Sequence, residues 1–215
     1  FRLRGKGIKG VRSGFPGEVS GRLRAHKTWK PIEQATMSYG YGISVSLLQL
    51  ARSYTIFASD GVLYPVTLLK RDSPAQGTRV VSAQTALAVR RMLEMAAQPG
   101  GTAPGAQVSG YTVAGKTGTS QEWRDAWFLG YTTRFVGGIW VGNDDDKPMA
   151  KVTGGEMSAR IWADMMKVAH EGLTPEALPG AKQAEDYLST EDMDRLNFYR
   201  RLSSAFAAVE ARGGG

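Results

Sequence analysis

The stretch Gly110-Tyr111-Thr112-Val113-Ala114-Gly115-Lys116-Thr117-Gly118-Thr119-Ser120 decides the reading of this chain, together with Trp123-Arg124-Asp125-Ala126-Trp127-Phe128-Leu129-Gly130-Tyr131 that follows it. Tyr111, Thr112 and Val113 favour extended backbone. A strand running on through Thr119 strings a cation, two hydroxyls and backbone N–H groups along one edge. Such groups can hold a carboxylate and a developing oxyanion.

The same letters fit the phosphate-loop pattern G-x-x-x-x-G-K-[ST] over Gly110 to Thr117. A phosphate loop needs an amide-exposing turn and then a helix that begins at the Lys-Thr. Here the loop positions hold strand formers, and Gly118 stands where the first helical turn should begin. The next apolar stretch, Ala126 to Tyr131, is short and aromatic and reads as another strand. A P-loop nucleotide hydrolase and a chemically inert edge strand stay as alternatives.

With 215 residues, 42% apolar residues and 5 Trp, the chain can build a real core as one large domain or two small ones. It has no Cys, hence no disulfide framework and no thiolate metal site. His26 and His170 are its 2 histidines, which argues against a histidine zinc site or a Ser-His-Asp triad; His170 reads as a polar position near a helix end. The run Asn143-Asp144-Asp145-Asp146 lacks EF-hand spacing and reads as a solvated turn, so no metal and no cofactor is expected. No apolar run is long enough to span a bilayer, and the start at Phe1 leads us to expect a piece of something longer.

The net charge of +7 is uneven: residues 1–110 carry 15 Lys/Arg against 5 Asp/Glu, and residues 111–215 carry 12 against 15. The excess clusters at Arg2, Arg4, Lys6, Lys9 and Arg12, then at Arg22, Arg24, Lys27 and Lys30. No stacking aromatics or helix-turn-helix pattern accompany these, so nucleic acid is not an expected partner. A basic surface suits work beside anionic membrane or cell-wall polymer.

The first forty residues, rich in Gly and basic groups, read as loops and short strands. Ser44 caps an expected helix over 45–59 with Val45, Leu48, Ala51, Tyr54 and Ala58 along its stripe, and Ser59-Asp60-Gly61 ends it. A strand is expected within 62–70 and a second helix over 83–97, capped by Ser82 and stopped by Pro99-Gly100-Gly101. Its apolar residues are Leu87, Val89, Met92, Leu93 and Ala96. Strands over 111–119, 126–133 and 135–142 have short connections and should pair antiparallel. A helix over 158–171 should lay Ile161, Trp162, Met165, Met166 and Ala169 on that sheet. Pro175 and Pro179 mark the end of the compact domain, so the expected division is 1–175 and a tail, 176–215, with a helix over 190–211.

On these residues the chain resembles the penicillin-binding transpeptidases. Gly14-Phe15-Pro16-Gly17-Glu18, Pro31-Ile32-Glu33-Gln34-Ala35, Tyr39-Gly40-Tyr41-Gly42, Leu68-Leu69-Lys70-Arg71 and Pro99-Gly100-Gly101-Thr102-Ala103 look like the class B, cell-division branch. Arg124 to Tyr131, Trp140-Val141-Gly142-Asn143-Asp144 and Thr153-Gly154-Gly155 look like the class A, bifunctional branch. The two patterns meet near the Lys-Thr-Gly-Thr string, 14–110 on one side and 121–173 on the other.

The resemblance implies an α+β fold, an antiparallel sheet flanked by helices, with the N-terminal part of the domain not included. It implies acyl transfer that cross-links peptidoglycan at the periplasmic face of the bacterial inner membrane. Peptidoglycan stem peptides and β-lactams are the implied ligands, with cell-wall or division proteins as further partners. By resemblance Lys116 and Thr119 are catalytic, and Thr117, Gly118 and Thr119 bind substrate. The family's nucleophile lies in S-x-x-K, with a second motif S-x-N. No Ser of this chain has Lys three places on or Asn two places on. The chain alone is therefore expected to be inactive. A non-catalytic module that binds peptidoglycan or a division partner is a further alternative.

Overall fold

Residues 16–23, 26–73 and 75–179 are described by the structure, a computed structural model. The chain divides into two units, Phe1–Pro179 and Gly180–Gly215. The second unit, with the helix expected over 190–211, lies outside the described residues, as do the basic residues from Arg2 to Arg12 and Arg24.

Within 26–40 the chain is not the run of loops and short strands expected from composition. Helix α1 (Pro31–Met37) forms there because Pro31 presets the first helical turn and Glu33 turns back to accept the Lys30 N–H at 2.9 Å. Helix α2 (Leu47–Ala58) starts two residues later than expected, capped by Ser46 rather than Ser44. Ser46 and Gln49 exchange hydrogen bonds of 3.2 and 2.8 Å, a reciprocal capping box. Asp60 (φ 50°) and Gly61 (φ 90°) then turn the chain out of the helix.

The strand expected within 62–70 shrinks to β1 (Val62–Leu63), which pairs antiparallel with β2 (Thr78–Arg79). Pro65 cannot donate to a ladder and ends it. Helix α3 (Ala83–Ala97) takes the expected limits and the expected Ser82 cap, which accepts from the Thr85 N–H.

The main sheet has the order β3-β4-β5, with β3 (Ala114–Thr119), β4 (Asp125–Tyr131) and β5 (Val136–Gly142) all antiparallel. Register runs from Ala114 opposite Tyr131 to Thr119 opposite Ala126. No helix starts at Lys116-Thr117, so the backbone is that of a strand hairpin and not of a phosphate loop.

A π-helical turn (Gly154–Ser158) leads into α4 (Ala159–Ala169). Ala159, Trp162, Ala163 and Met166 face one side of the sheet, in a core with Phe128, Val113, Tyr111, Val108 and Ala106. Ile161 and Met165, expected in this core, are 43% and 41% exposed, and Ala169 is exposed as well. The Trp162–Phe128 edge contact, centroids 5.1 Å apart, sets the rotation of the helix instead. A Cβ on Gly137 would lie 2.6 Å from Met166 Cε, so the helix packs onto bare backbone. Leu47 of α2 covers the other face at Gly138 and Leu129. The fold is thus α+β, with helices on both faces of an antiparallel sheet.

Only Ile56 of α2 is fully buried, and Leu48 of its expected stripe is 41% exposed. The inward face of α3 is Ala86, Arg90, Leu93 and Ala97, so a guanidinium stands where apolar periodicity places none. Arg90 is 1% exposed and caps the end of α2: its Nε and Nη2 donate to the Phe57 carbonyl at 3.0 and 2.7 Å. Nη2 also reaches Asp60 at 2.8 Å, and Nη1 donates to the Pro179 carbonyl at 2.5 Å. His170, expected as a polar helix end, is buried between Tyr111 and Phe135 and bonds to Thr132 and the Met166 carbonyl.

Replacing Arg90 by Met orphans two carbonyls from different parts of the fold. Each buried unsatisfied group costs about 1–3 kcal/mol. Urea denaturation of Arg90→Met should show a loss of about 2–6 kcal/mol on that basis. Arg90→Lys should recover only part of it, since an ammonium cannot fork to both carbonyls.

Candidate active site

Strand β3 is an edge of the sheet, and among the described residues no strand lies on its outer side. The Ser120 N–H bonds back to the Asp125 carbonyl of β4 at 2.9 Å. Strand alternation then sends the N–H groups of Thr117 and Thr119 to the open edge. Side chains alternate too. Thr117 and Thr119 share the face covered by α4 and the Gly154 turn, while Lys116 and Gly118 leave from the opposite face.

Lys116 nevertheless reaches round the edge. Its Nζ donates to Thr117 Oγ1 at 3.0 Å, to the Thr117 carbonyl at 3.3 Å and to Thr102 Oγ1 at 3.2 Å. Thr117 Oγ1 donates to Thr102 Oγ1 at 3.1 Å. Thr102 is absent from the candidate residues read off the motif. It sits in the turn after α3, 14 residues before Lys116, and only tertiary folding joins them. Burial of part of the Lys116 side chain, otherwise exposed, draws its pKa below the ordinary lysine range.

Thr119 Oγ1 accepts the Gly154 N–H at 3.2 Å, which fixes the oxygen from behind and leaves its proton to donate. This contact needs glycine. A Cβ at Gly154 would lie 2.2 Å from the Trp127 carbonyl oxygen and 2.5 Å from that of Gly118. Gly118 differs: a Cβ there would meet only the Trp127 side chain, at 3.4 Å or more, an ordinary contact. Internal packing does not require glycine at 118.

The hairpin beyond Thr119 is held as well. Glu122 and Trp123 take positive φ of 58° and 54°. Arg124 pairs with Glu122 and Asp146, and the Ser120 hydroxyl accepts the Asp125 N–H at 2.8 Å. The sequence-read residues Lys116, Thr117, Gly118 and Thr119 thus lie on one accessible edge, with two hydroxyls, an ammonium and outward N–H groups within a few ångströms. That is a site suited to an anion in extended conformation.

A family model described as the penicillin binding protein transpeptidase domain matches residues 6–167. The chain belongs to the penicillin-binding protein transpeptidase domain family. It is 48% identical over 118 residues to the probable peptidoglycan D,D-transpeptidase PenA of Neisseria meningitidis, a match covering 55% of this chain and 20% of that protein. It is 33% identical over 168 residues to the peptidoglycan D,D-transpeptidase FtsI of Escherichia coli, covering 74% of this chain and 29% of that one. Among solved structures it resembles the apo transpeptidase domain of Burkholderia pseudomallei penicillin-binding protein 3, with a TM-score of 0.69 and 39% identity. That likeness covers 79% of this chain and 55% of that one. The chain therefore spans well under half the length of the curated relatives it matches. These relatives are class B in kind, and both the family model and the FtsI match run through the motif, where the sequence pattern shifts between branches.

Gly154→Ala should cost about 1–3 kcal/mol in chemical denaturation, the range for forcing bulk into a packed site. Gly118→Ala should change stability by less than about 1 kcal/mol, because a strand interior tolerates Ala slightly better than Gly.

Proposed function

We propose that this chain is the carboxylate- and oxyanion-binding part of a peptidoglycan D,D-transpeptidase domain, working at the periplasmic face of the inner membrane. The observation that carries the reading is the open β3 edge, with Lys116, Thr117 and Thr119 converging on it in a member of this family.

In the reaction, a serine attacks the penultimate D-Ala carbonyl of a stem peptide. The acyl-enzyme so formed is then resolved by an amine of a neighbouring peptide. Lys116 supplies positive potential beside the nucleophile. The Thr119 hydroxyl donates to the terminal carboxylate of the stem peptide or of a β-lactam, and the Thr117 hydroxyl does so by turning its one proton from Thr102 to the ligand. The Thr119 N–H, turned to the open edge, donates to the developing oxyanion. Gly118 lets the ligand backbone close on the strand. The chain contains no S-x-x-K, so it binds without forming the acyl bond. A lost oxyanion donor alone costs about 10²–10³ in rate, and loss of the nucleophile removes the covalent route.

Two measurements test this. Intact-mass analysis after incubation with benzylpenicillin should show no added mass; a stoichiometric adduct would overturn the claim of inactivity. Amide shifts on titration with diacetyl-L-Lys-D-Ala-D-Ala should cluster at residues 116–119 and vanish in Lys116→Ala. Shifts confined elsewhere would sink the carboxylate site.

The pH dependence follows from Lys116. The cation is present below its pKa and lost above it, and that pKa lies below the ordinary lysine range. Affinity for the tripeptide should hold at neutral pH and fall as pH rises through the Lys116 transition. Side-chain NMR should place that transition at lower pH than in a freely solvated lysine.

A further inference from the structure

Two donors of the open edge converge on an atom outside the Lys-Thr-Gly-Thr string. The Lys116 ammonium and the Thr117 hydroxyl both donate to Thr102 Oγ1, at 3.2 and 3.1 Å. We propose that Thr102 is a positioning residue of the carboxylate site: its hydroxyl holds the Lys116 ammonium beside Thr117 Oγ1 at the strand edge and accepts the Thr117 proton until a ligand carboxylate takes it. The inference rests on the reading of β3 as a carboxylate site.

Lys116 needs such a partner. Its ammonium rides on a flexible four-carbon stem, and holding that stem in place before a ligand arrives removes part of the ordering cost of binding. Thr117 alone cannot fix it, because one hydroxyl and one carbonyl on the next residue allow the stem to swing about the strand. Thr102 approaches from a separate element and closes a triangle in which Lys116 Nζ, Thr117 Oγ1 and Thr102 Oγ1 lie 3.0–3.2 Å apart.

The backbone of Thr102 is itself pinned on two sides. The Gly101 N–H donates to the Gln98 carbonyl at 2.8 Å, and the Ala103 N–H to the Ala96 carbonyl at 3.0 Å, tying the turn to the end of α3. On the other side the Thr102 carbonyl oxygen packs so close to Gly155 that a Cβ there would lie 2.3 Å away. β-Branching narrows the choice of χ1, so the hydroxyl direction is set by this backbone. Thr102 is exposed, and with two bonds received its own proton is left for a ligand acceptor.

Its chemistry gives the test. Thr102→Val keeps the branched shape and removes the acceptor. The affinity of the full chain for diacetyl-L-Lys-D-Ala-D-Ala, read by NMR titration, should fall about three- to tenfold, the range for one ordinary net hydrogen bond. Lys116 should titrate lower than in the parent, having lost an acceptor that favours its charged form. Thr102→Ser should restore both. Should the valine variant misfold, Thr102→Ala adds no bulk and should show the same two losses.

Parent affinity and a parent Lys116 titration in a folded Thr102→Val or Thr102→Ala, with binding abolished by Lys116→Ala, would overturn the role of Thr102 and leave the carboxylate site standing. Unchanged binding in Lys116→Ala would remove the site itself, and this inference with it.

Discussion

Strand β3 must stay fixed although, among the described residues, it is hydrogen-bonded to a neighbouring strand on one side only. An open edge is what lets an extended ligand pair with it, and an open edge is also the least constrained part of a sheet. The rest of the unit can be read as the answer to that conflict. Register with β4 is continuous over six residues, and β4 is in turn locked to β5 over seven. The Gly154 turn presses against the carbonyls of Gly118 and Trp127 from one face. Its N–H grips Thr119, while Ser158, one turn on, donates its hydroxyl to the Ala126 carbonyl. Bonds to β3 and to β4 thus issue from the same short π-helical segment, so the strand end and the start of α4 cannot move independently.

Helix α3 provides the second support, and it depends on a charge. Arg90 occupies the inward face of the helix and ends the α2 backbone by taking up the Phe57 carbonyl. A buried guanidinium is costly unless its donors are used. Here Phe57 and Asp60, both at the end of α2, and Pro179, far along the chain, accept from it. The ion pair with Asp60 adds little by itself, because that carboxylate is 60% exposed and water screens it. The geometric effect is the larger one: α2, α3 and the chain at 179 are tied at one point, which fixes where α3 ends and hence where the Gly100-Gly101-Thr102 turn begins.

How much of this could be read from the sequence depended on whether the signal was local. Strands β4 and β5 are legible because Trp, Phe, Tyr, Val and Ile concentrate in them, and β3 because strand formers lead into it, and the fold class follows. The expected ends at Thr119 and Gly142 hold, but β3 begins at Ala114, not at 111, because Tyr111, Thr112 and Val113 lie outside the β-ladder despite their strand propensity. Helix α3 was legible at both ends, from Ser82 and from Pro99-Gly100. The cap of α2 was misread because two serines compete, and only Gln49, three places after Ser46, tells them apart. Pro31 and Glu33 were the local signal for α1, masked by the surrounding Gly and basic residues. Ile161 and Met165 were assigned to the core on apolarity alone, yet Trp162 and Met166 fix the buried face through contacts with Phe128 and bare backbone at Gly137. The burial of Arg90 and the contact of Thr102 with the motif are not legible for one reason: their partners lie 14 to 89 residues away, and no periodicity encodes that.

On the proposed reading, the site so assembled separates two functions that acyl transfer normally joins. Electrostatic stabilisation works when donors are already aimed before charge develops, so that no reorganisation accompanies the reaction. Every constraint on Lys116, Thr117 and Thr119 described above comes from elements inside this unit: the hairpin, the Gly154 turn and the turn after α3. None of them passes through a nucleophile. On the reading proposed here, the anion-holding edge is organised independently of the serine chemistry it serves. Its geometry should therefore be a property of the strand and its two supporting turns. In the transpeptidase domain the nucleophile's neighbourhood then needs only to dock against a surface that is already set.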